Sequence, residues 1–495
     1  MNENNQLTEQ ENDYLLNLIS GFNKYRNIEN IEAFNNEIAN ANYPNFVDDI
    51  SKIFIILKGI STTTIKNKKL SLQEYKDIFI QMKNLIIINQ RNLKYSEIKE
   101  ILLKLILILL DPNIEFIQYN NMVLIFLQLI KIIYDNNDEL LKDKAQNENY
   151  FKIILDKISQ KNQTKENFLI ISKNSLLIYI CLFETNIINE KNFLNLMQNY
   201  IVPICDIIFN STQIYIIPFV NYDIEFISIL KSLYELLITC LKKMKRFFPS
   251  IKRKEISNNN FARYGRYSLD LIKLIPNLKN EENILNNILV FKEDYNEFND
   301  MKSNIFLFLC YILENPIITS NNEINSEIIN IIFQIIKLVE ESLKQILENE
   351  NIFLKLRKIE EDELEGNEKS YNILLYNMLY FLCKSIIKEP IKTEFKNNIQ
   401  LFLLDIIFPL LVTFDNEKSY MKREPEQYCI YLNDILYNLK LKNFRTAGLI
   451  LIKKMCENFE DIPNFIFSYI IGMLEDLLLF NGNNNNIENE INLLQ

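Results

Sequence analysis

The side chains that carry most acid–base chemistry and metal binding are absent from this sequence or widely dispersed in it. None of the 495 residues is His, which removes the side chain with a pKa nearest to neutral pH and the commonest metal ligand. The seven Cys occur singly on apolar stretches, at Cys181, Cys205, Cys240, Cys310, Cys383, Cys429 and Cys456. Disulfide frameworks and zinc sites need clustered spacings, so we predict reduced, buried thiols.

Phosphate-binding loops and paired catalytic carboxylates are also missing. The seven Gly are dispersed, so that neither GxGxxG nor GxxxxGK[ST] occurs. Neighbouring carboxylates lie on charged, solvated helix ends, without the apolar pocket that would raise the pKa of one of them. We therefore predict no catalytic residue, no metal site and no cofactor. The sequence indicates a protein that binds other macromolecules and is not an enzyme.

An acidic cluster lies between two predicted helices. It consists of Glu360, Glu361, Asp362, Glu363 and Glu365. One interpretation is a solvated loop. The other is an acidic arm that attracts a basic partner, because opposite charge steers association.

A basic cluster ends a long predicted helix. It consists of Lys242, Lys243, Lys245, Arg246, Lys252, Arg253 and Lys254. Cations at a helix C-terminus are explained by the helix dipole, and nucleic-acid contact is the alternative. The net charge of −10 and the pI near 5.1 argue against that alternative, since nucleic-acid binding needs a basic surface. We predict no direct nucleic-acid partner.

The length and the turn residues define the elements that carry these side chains. A single core stops growing near about 250–300 residues, so 495 residues form several domains or one stack of repeats. Seven Gly and eleven Pro favour helices that are joined by short polar loops. Residues 44–57 illustrate the pattern, with Phe46, Ile50 and Ile53 on one helical face.

Similar periodicity recurs along the chain. Helix starts recur about every 20–25 residues, so helix pairs recur about every 40–50 residues, which is the HEAT or armadillo period. The sequence therefore predicts an all-α fold, an α-α superhelix of antiparallel helix pairs. The predicted helices are 44–57, 72–89, 96–110, 114–135, 149–159, 165–184, 190–211, 222–247, 267–289, 292–314, 322–347, 370–388, 392–413, 426–439, 444–459 and 463–480.

The predicted domain organisation has three parts. Residues 1–25 are a polar N-terminal segment, residues 26–480 are a continuous HEAT-repeat solenoid, and residues 481–495 are an Asn-rich disordered tail. The polar start favours neither a signal nor a transit peptide. Apolar runs such as 101–110 and 122–130 are shorter than the roughly 20 residues that span a bilayer, so we predict a soluble chain without membrane insertion.

Three motifs in their order along the chain are more specific than the periodicity. The first is Ile407-Phe408-Pro409-Leu410, the second is Glu424-Pro425-Glu426-Gln427-Tyr428, and the third is Arg445-Thr446-Ala447-Gly448. Together they resemble the central region of importin-β superfamily nuclear transport receptors, the karyopherins. The order is most similar to the importin seven/eight type or to the CAS-type exportin.

Weaker similarity extends toward the N-terminus. Residues 41–46 (ANYPNF) and 81–86 (QMKNLI) are similar to the first repeats of such receptors, and residues 293–298 (EDYNEF) to a segment that precedes the central region. The resemblance therefore places importin-β N-terminal-like repeats at about 30–135 and central importin-like repeats at about 400–480. Members of the family are longer than this chain, which would correspond to their N-terminal half.

The resemblance implies a nuclear transport receptor. It would bind Ran GTPase in the GTP form and a protein cargo, including a basic one, and would pass nuclear pores by binding nucleoporin Phe-Gly repeats. Its location would be the cytoplasm, the nucleus and the nuclear envelope. The alternative is a HEAT-repeat scaffold subunit of a large complex without a transport role.

The resemblance also assigns residues. By analogy, Ran would contact the second helices of the first repeats around Lys83 and Asn84, with the acidic cluster as a further contact. The family-motif residues are expected to be structural: Phe408, Pro409, Glu424, Pro425, Tyr428, Arg445 and Ala447.

Overall fold

The computed structural model consists almost entirely of helices. It describes residues 7–25, 49–61, 64–65, 68–89, 93–114, 120–160, 163–185, 188–215, 224–247, 260–273, 296–315, 318, 322–348, 370–411, 423–426 and 444–479. Contacts divide the chain into two compact units, Met1–Ile208 and Phe209–Gln495. Within the described residues the only strands are β1 (Thr64–Ile65) and β2 (Lys68–Lys69), an antiparallel pair.

The first unit contains the following helices in chain order. They are α1 (Glu9–Tyr25), α2 (Asp49–Ser61), α3 (Leu72–Asn89), α4 (Tyr95–Leu109), α5 (Asn120–Asp135), α6 (Asp138–Lys142), α7 (Lys144–Ile158), α8 (Lys165–Glu184) and α9 (Glu190–Leu196). A π-helical turn, Met197–Ile201, continues α9 into α10 (Val202–Tyr215), which crosses the boundary between the units.

The helices of the first unit pack as successive pairs in two layers. Helix α2 packs on α3, α4 on α5, and α7 on α8. The second helices of these pairs, α3, α5 and α8, also contact one another in sequence and form one layer. Lys131 at the end of α5 pairs with Glu184 at the end of α8, at 3.3 Å, so these two helices run parallel. Nearest-neighbour packing of this kind is typical of helical repeats.

The polar N-terminal segment proves to contain a helix. In α1, Leu15, Leu18 and Ile19 occupy one face and are buried. A capping box starts the helix, since the Thr8 N–H donates to Glu11 Oε2 (2.7 Å) and the Glu11 N–H donates to Thr8 Oγ1 (3.2 Å). The prediction left residues 1–25 without a helix because this short apolar stripe is surrounded by Asn, Gln and Glu.

Helix α8 is a core helix of the first unit. Within the described residues it is the helix that is long and apolar enough to cross a membrane by length and composition. It nevertheless packs on α5 and α7, and it buries polar side chains. One of these is Asn174, whose Nδ2 donates to the Leu109 carbonyl at 2.9 Å. Buried and hydrogen-bonded polar groups fit the interior of a helical stack.

The second unit contains the following helices. They are α11 (Ile224–Phe247), α12 (Asn260–Lys273), α13 (Asn296–Glu314), α14 (Asn322–Glu348), α15 (Ser370–Ser385), α16 (Ile391–Lys396), α17 (Ile399–Phe402), α18 (Phe408–Leu410), α19 (Phe444–Asn458) and α20 (Asp461–Leu479). A second π-helical turn, Leu403–Ile407, joins α17 to α18.

One layer of the second unit is formed by α11, α13, α15 and α19, each packed on the next. Two ion pairs show the relative direction of α11 and α13. Lys231 pairs with Asp300 at 2.7 Å, near the start of both helices. Lys245 pairs with Glu314 at 3.1 Å, where both helices end. Like ends therefore meet, and the two helices are parallel.

Two polar pairs, one part-buried and one buried, join α13 to α15 in the same way. The Ser370 hydroxyl lies 2.7 Å from Asn296 Oδ1 at the start of both helices, and Asn377 Nδ2 donates to Ser303 Oγ at 2.5 Å in their middle. Both pairs join residues 74 positions apart. The two helices are therefore parallel and in fixed register.

Most predicted helices match in position, and some boundaries were wrong. The prediction started one helix at 267, although α12 begins at Asn260, because the polar residues before 267 were interpreted as a loop. Residues 392–413 were predicted as one helix but contain α16, α17, α18 and a π-helical turn. The predicted helix at 426–439 lies almost entirely outside the described residues. The proposed domain boundaries, including the tail at 481–495, remain predictions.

The cysteine prediction is confirmed for the residues that the structure describes. Five Cys are buried thiols outside any disulfide, and Cys456 is a half-buried one; Cys429 lies outside the described residues. Burial raises the pKa of the Cys181 thiol to about 12 and that of Cys383 to about 12. These thiols are therefore protonated at neutral pH and behave as small apolar side chains.

Gly448 marks a close approach between α19 and the end of α18. A Cβ at this position would lie 2.9 Å from Leu411 Cδ2, whereas a Cβ at Gly472 in α20 would meet nothing within 4 Å. We expect Gly472→Ala to be neutral or stabilising by up to about 1 kcal/mol through helix propensity. Gly448→Ala should give a free energy of unfolding at least about 1 kcal/mol lower than Gly472→Ala does, because Leu411 must move. Urea unfolding of both variants measures the difference, and equal free energies would contradict the close approach.

Candidate partner-binding surface

The outward face of α3 carries both residues that the resemblance assigned to Ran. Lys83 and Asn84 are partly exposed, and they share a helical face with Ile80, Ile87 and Ile88. These three isoleucines are 46%, 39% and 72% exposed. The spacing i, i+3, i+4, i+7, i+8 defines one side of a helix. We call these five residues the α3 face; it is largely apolar, with one cation.

The opposite side of α3 anchors the helix firmly. A capping box starts it, since the Ser71 N–H donates to Glu74 Oε2 at 2.8 Å and the Glu74 N–H donates to Ser71 Oγ at 3.3 Å. Phe79 is fully buried, with its ring centroid 4.1 Å from that of Phe126 on α5. The α3 face is therefore presented on a rigid element, which favours precise recognition over adaptation.

The neighbouring helices of the same layer also carry exposed side chains. Leu124 on α5 is 50% exposed. Lys131 and Glu184 are each about half exposed and pair across α5 and α8. Single exposed apolar residues are ordinary on protein surfaces, but contiguous ones mark interaction sites. The first unit thus offers apolar side chains and charges together on one layer.

Sequence reasoning missed the isoleucines of the α3 face. A signal was present in the run Leu85-Ile86-Ile87-Ile88. Four successive residues of a helix cover more than its full circumference, so at least one must point away from the core. The structure buries Leu85 and Ile86 and exposes the other two.

The second assigned contact cannot be placed. Glu360–Glu365 lie outside the described residues, and so does Tyr428. Glu424 and Pro425 are described and exposed, so they contribute no buried contact of their own. Among the residues that the structure describes, no group of three His, Cys, Asp or Glu side chains could hold a metal ion.

The remaining family-motif residues lie in the second unit. Phe408 stacks on Tyr469 of α20, with ring centroids 5.3 Å apart. Arg445 and Ala447 are buried in the first turn of α19, next to Gly448, which Leu411 approaches. Leu411, which follows the first motif, thus lies close to Gly448 of the third motif. The structural role of the motif residues remains a prediction.

Comparison with known proteins gives a match of fold. No family model matches the sequence, and no curated protein matches it either. A solved structure, described as the exportin Cse1 in its cargo-free, cytoplasmic state, is similar with a TM-score of 0.58 and 12% sequence identity. The match covers 94% of this chain and 44% of the exportin chain, so this chain spans less than half of that protein's length.

This likeness confirms the predicted fold class, an all-α superhelix of the HEAT type found in an exportin. It also supports an importin-β-like fold for the chain. The assignment to the importin seven/eight type or to the CAS-type exportin remains a prediction. At this level of identity the match concerns fold, and function must be argued from the surface.

Proposed function

We propose that this protein is a karyopherin-like nuclear transport receptor that binds Ran GTPase in its GTP form together with a protein cargo. The exposed isoleucines of the α3 face carry the proposal, and the fold that this chain shares with an exportin over 94% of its length supports it. In this proposal the protein is not an enzyme. It moves between cytoplasm and nucleus by binding nucleoporin Phe-Gly repeats at the nuclear envelope.

The α3 face is the proposed contact with Ran. Ile80, Ile87 and Ile88 provide apolar area that is exposed in the free protein, and Lys83 adds a cation at its edge. Burial of apolar area supplies most of the binding free energy at such interfaces, while charges set the orientation. The acidic segment Glu360–Glu365 is the proposed second contact, suited to basic groups on Ran or on cargo.

Coupled binding is the proposed mechanism. Each helix pair in a stack contacts mainly its neighbours, so small changes at successive interfaces add up to a change in curvature. A GTPase that binds one curvature of the stack better than another shifts the stack toward that curvature and thereby changes its affinity for cargo. The coupling is reciprocal, so cargo changes the affinity for the GTPase by the same free energy.

Replacing Ile88 with Asp is expected to weaken binding to GTP-form Ran by about tenfold or more, because a carboxylate would enter an apolar contact without a partner. Ile88 is 72% exposed, so the fold should not change. Leu401→Asp is the matched control, since Leu401 is 59% exposed in the second unit. Binding is measured by pull-down and titration with GTP-locked and GDP-bound Ran.

Two outcomes would contradict the proposal. A chain that ignores the nucleotide state of Ran, or fails to bind it, would be a HEAT-repeat scaffold instead. Equal losses in Ile88→Asp and Leu401→Asp would remove the α3 face from the contact. The same titration with the charges of Glu360–Glu365 reversed tests the second contact, and unchanged binding of both Ran and a basic cargo would exclude it.

A further inference from the structure

Cations and tyrosines lie side by side where three parallel helices of the second unit end. Lys242, Lys245 and Arg246 are in the last turns of α11, Tyr311 is in the last turn of α13, and Tyr380 and Lys384 are in the second half of α15. We call these six residues the lysine–tyrosine band. From the sequence, the helix dipole explains its first three cations, with nucleic-acid contact as the alternative.

Contacts across the three helices hold the band together. Lys242 Nζ lies 5.4 Å from the centre of the Tyr311 ring, and Lys384 Nζ lies 4.9 Å from that of Tyr380. Tyr380 in turn stacks with Tyr376, at 6.0 Å between ring centroids. The partly exposed rings thus provide apolar surface between the cations.

Glu314 is the carboxylate at the centre of the band. It accepts from Lys384 Nζ at 2.5 Å and from Lys245 Nζ at 3.1 Å. Burial acts to raise the pKa of the Glu314 carboxyl, but the two ammonium groups outweigh it and the net pKa is lowered. Glu314 therefore stays ionised and fixes two lysines from different helices in place.

The charges of the band do not cancel. Lys242, Lys245, Arg246 and Lys384 are four cations around one carboxylate, in a chain whose net charge is −10. Lys242 and Arg246 are exposed, and neither forms a salt bridge with any residue that the structure describes. The helix dipole explains only the cations at the end of α11. It does not explain why Tyr311, Tyr380 and Lys384 extend this surface over α13 and α15.

We propose that the lysine–tyrosine band binds an extended, acidic segment of a partner protein. Neighbouring helix axes lie about 8–10 Å apart, and an extended chain advances about 3.3 Å per residue, so about six residues would cross the three helices. Carboxylates would pair with Lys242 and Arg246, and an apolar side chain would rest on the rings of Tyr311 and Tyr380. A short peptide suits the band better than a nucleic acid does, because the net charge of −10 on the chain would repel the phosphates of a polyanion that extends beyond the band.

The chain itself provides a clean assay. It contains no Trp, so a Trp placed in a six-residue peptide with four carboxylates and one Leu reports only on the peptide. Titration of the full chain into this peptide, followed by Trp fluorescence, should give saturable binding. The same peptide with Asn and Gln in place of Asp and Glu should bind about tenfold more weakly or worse.

Variants then locate the site. Lys242→Glu with Arg246→Glu is expected to weaken peptide binding by about tenfold or more, since two attractive charges become repulsive. Lys144→Glu with Lys152→Glu, two exposed lysines of α7, makes the same change in net charge and should alter binding by less than about twofold. Tyr380→Leu should weaken binding by about threefold or more through loss of the ring.

Three results would overturn the proposal. The first is absence of saturable peptide binding by the unmodified chain, with folding confirmed by circular dichroism. The second is an equal loss in the α7 control, which would mean that only net charge matters. The third is tighter binding of single-stranded RNA that is lost in the Lys242→Glu, Arg246→Glu variant, which would make the band a nucleic-acid site. None of these measurements depends on binding to Ran.

Discussion

Replacing Phe151 with Ala is expected to lower the free energy of unfolding of the first unit by about 3–5 kcal/mol. Phe151 is fully buried on α7. Its ring lies 5.3 Å from that of Tyr179 and 5.9 Å from that of Phe183, both on α8. Its ring also lies 5.8 Å from that of Tyr200, in the π-helical turn after α9. One side chain thus joins three elements, and its removal leaves a cavity that rigid neighbours cannot close.

Urea unfolding followed by circular dichroism measures this effect, with Phe467→Ala as the matched control. Phe467 is 66% exposed on α20, so its truncation should change stability by less than about 0.5 kcal/mol. Comparable losses in the two variants would mean that the aromatic cluster around Phe151 does not organise the core.

Replacing Lys302 with Met is expected to stabilise the second unit, on the order of 3 kcal/mol near pH 7. Lys302 is fully buried on α13, with Nζ 4.6 Å from the centre of the Phe298 ring. Burial lowers the pKa of its ammonium group from 10.5 to about 7. Met fills a similar volume without a charge to desolvate.

The sign of the pH dependence follows from this lowered pKa. Between about pH 7 and pH 10.5 the unfolded chain holds the Lys302 proton more tightly than the folded chain does. Its contribution to stability therefore improves as the pH rises through this window and is lost as the pH falls back through it. The difference in unfolding free energy between wild type and Lys302→Met should shrink from pH 7 to pH 10.

Lys344→Met is the control for this series. Lys344 is 45% exposed and pairs with Glu340 one turn earlier, at 2.9 Å, so its loss should change stability by about 0.5 kcal/mol or less. A pH-independent effect at Lys302 would show that its ammonium group is not desolvated in the folded chain. A destabilisation would show that the interactions of this side chain outweigh the cost of burying its charge.

The sequence predicted the fold well because the relevant signal is local. Apolar residues three and four positions apart define α3 and α8 to the residue, and few Gly and Pro exclude most other folds. The same signal fails where few residues carry it. In α1 three buried side chains are hidden among polar neighbours, and α12 begins within letters that resemble a loop.

The candidate surfaces were harder to predict because they depend on distant residues. Lys83 and Asn84 came from a resemblance, and the isoleucines beside them became visible only when the buried side of α3 was known. Tyr311 and Tyr380 are 69 positions apart in the sequence. Only the parallel packing of α13 on α15 brings such residues to the same end of a layer.

The two polar pairs between α13 and α15 restrict how this layer can move. If α15 slid by one helical turn along α13, Asn377 would lose Ser303 and Ser370 would lose Asn296. Asn377 and Ser303 are buried, so each would then cost about 1–3 kcal/mol as an unsatisfied polar group, whereas Asn296 is exposed and could bond to water. The two pairs therefore oppose sliding of α15 along the axis of α13 but still permit a change in the angle between the two helix axes. Elastic deformation of this part of the stack must therefore come from rotation between the adjacent helices. The two polar pairs restore the same register when the helices return.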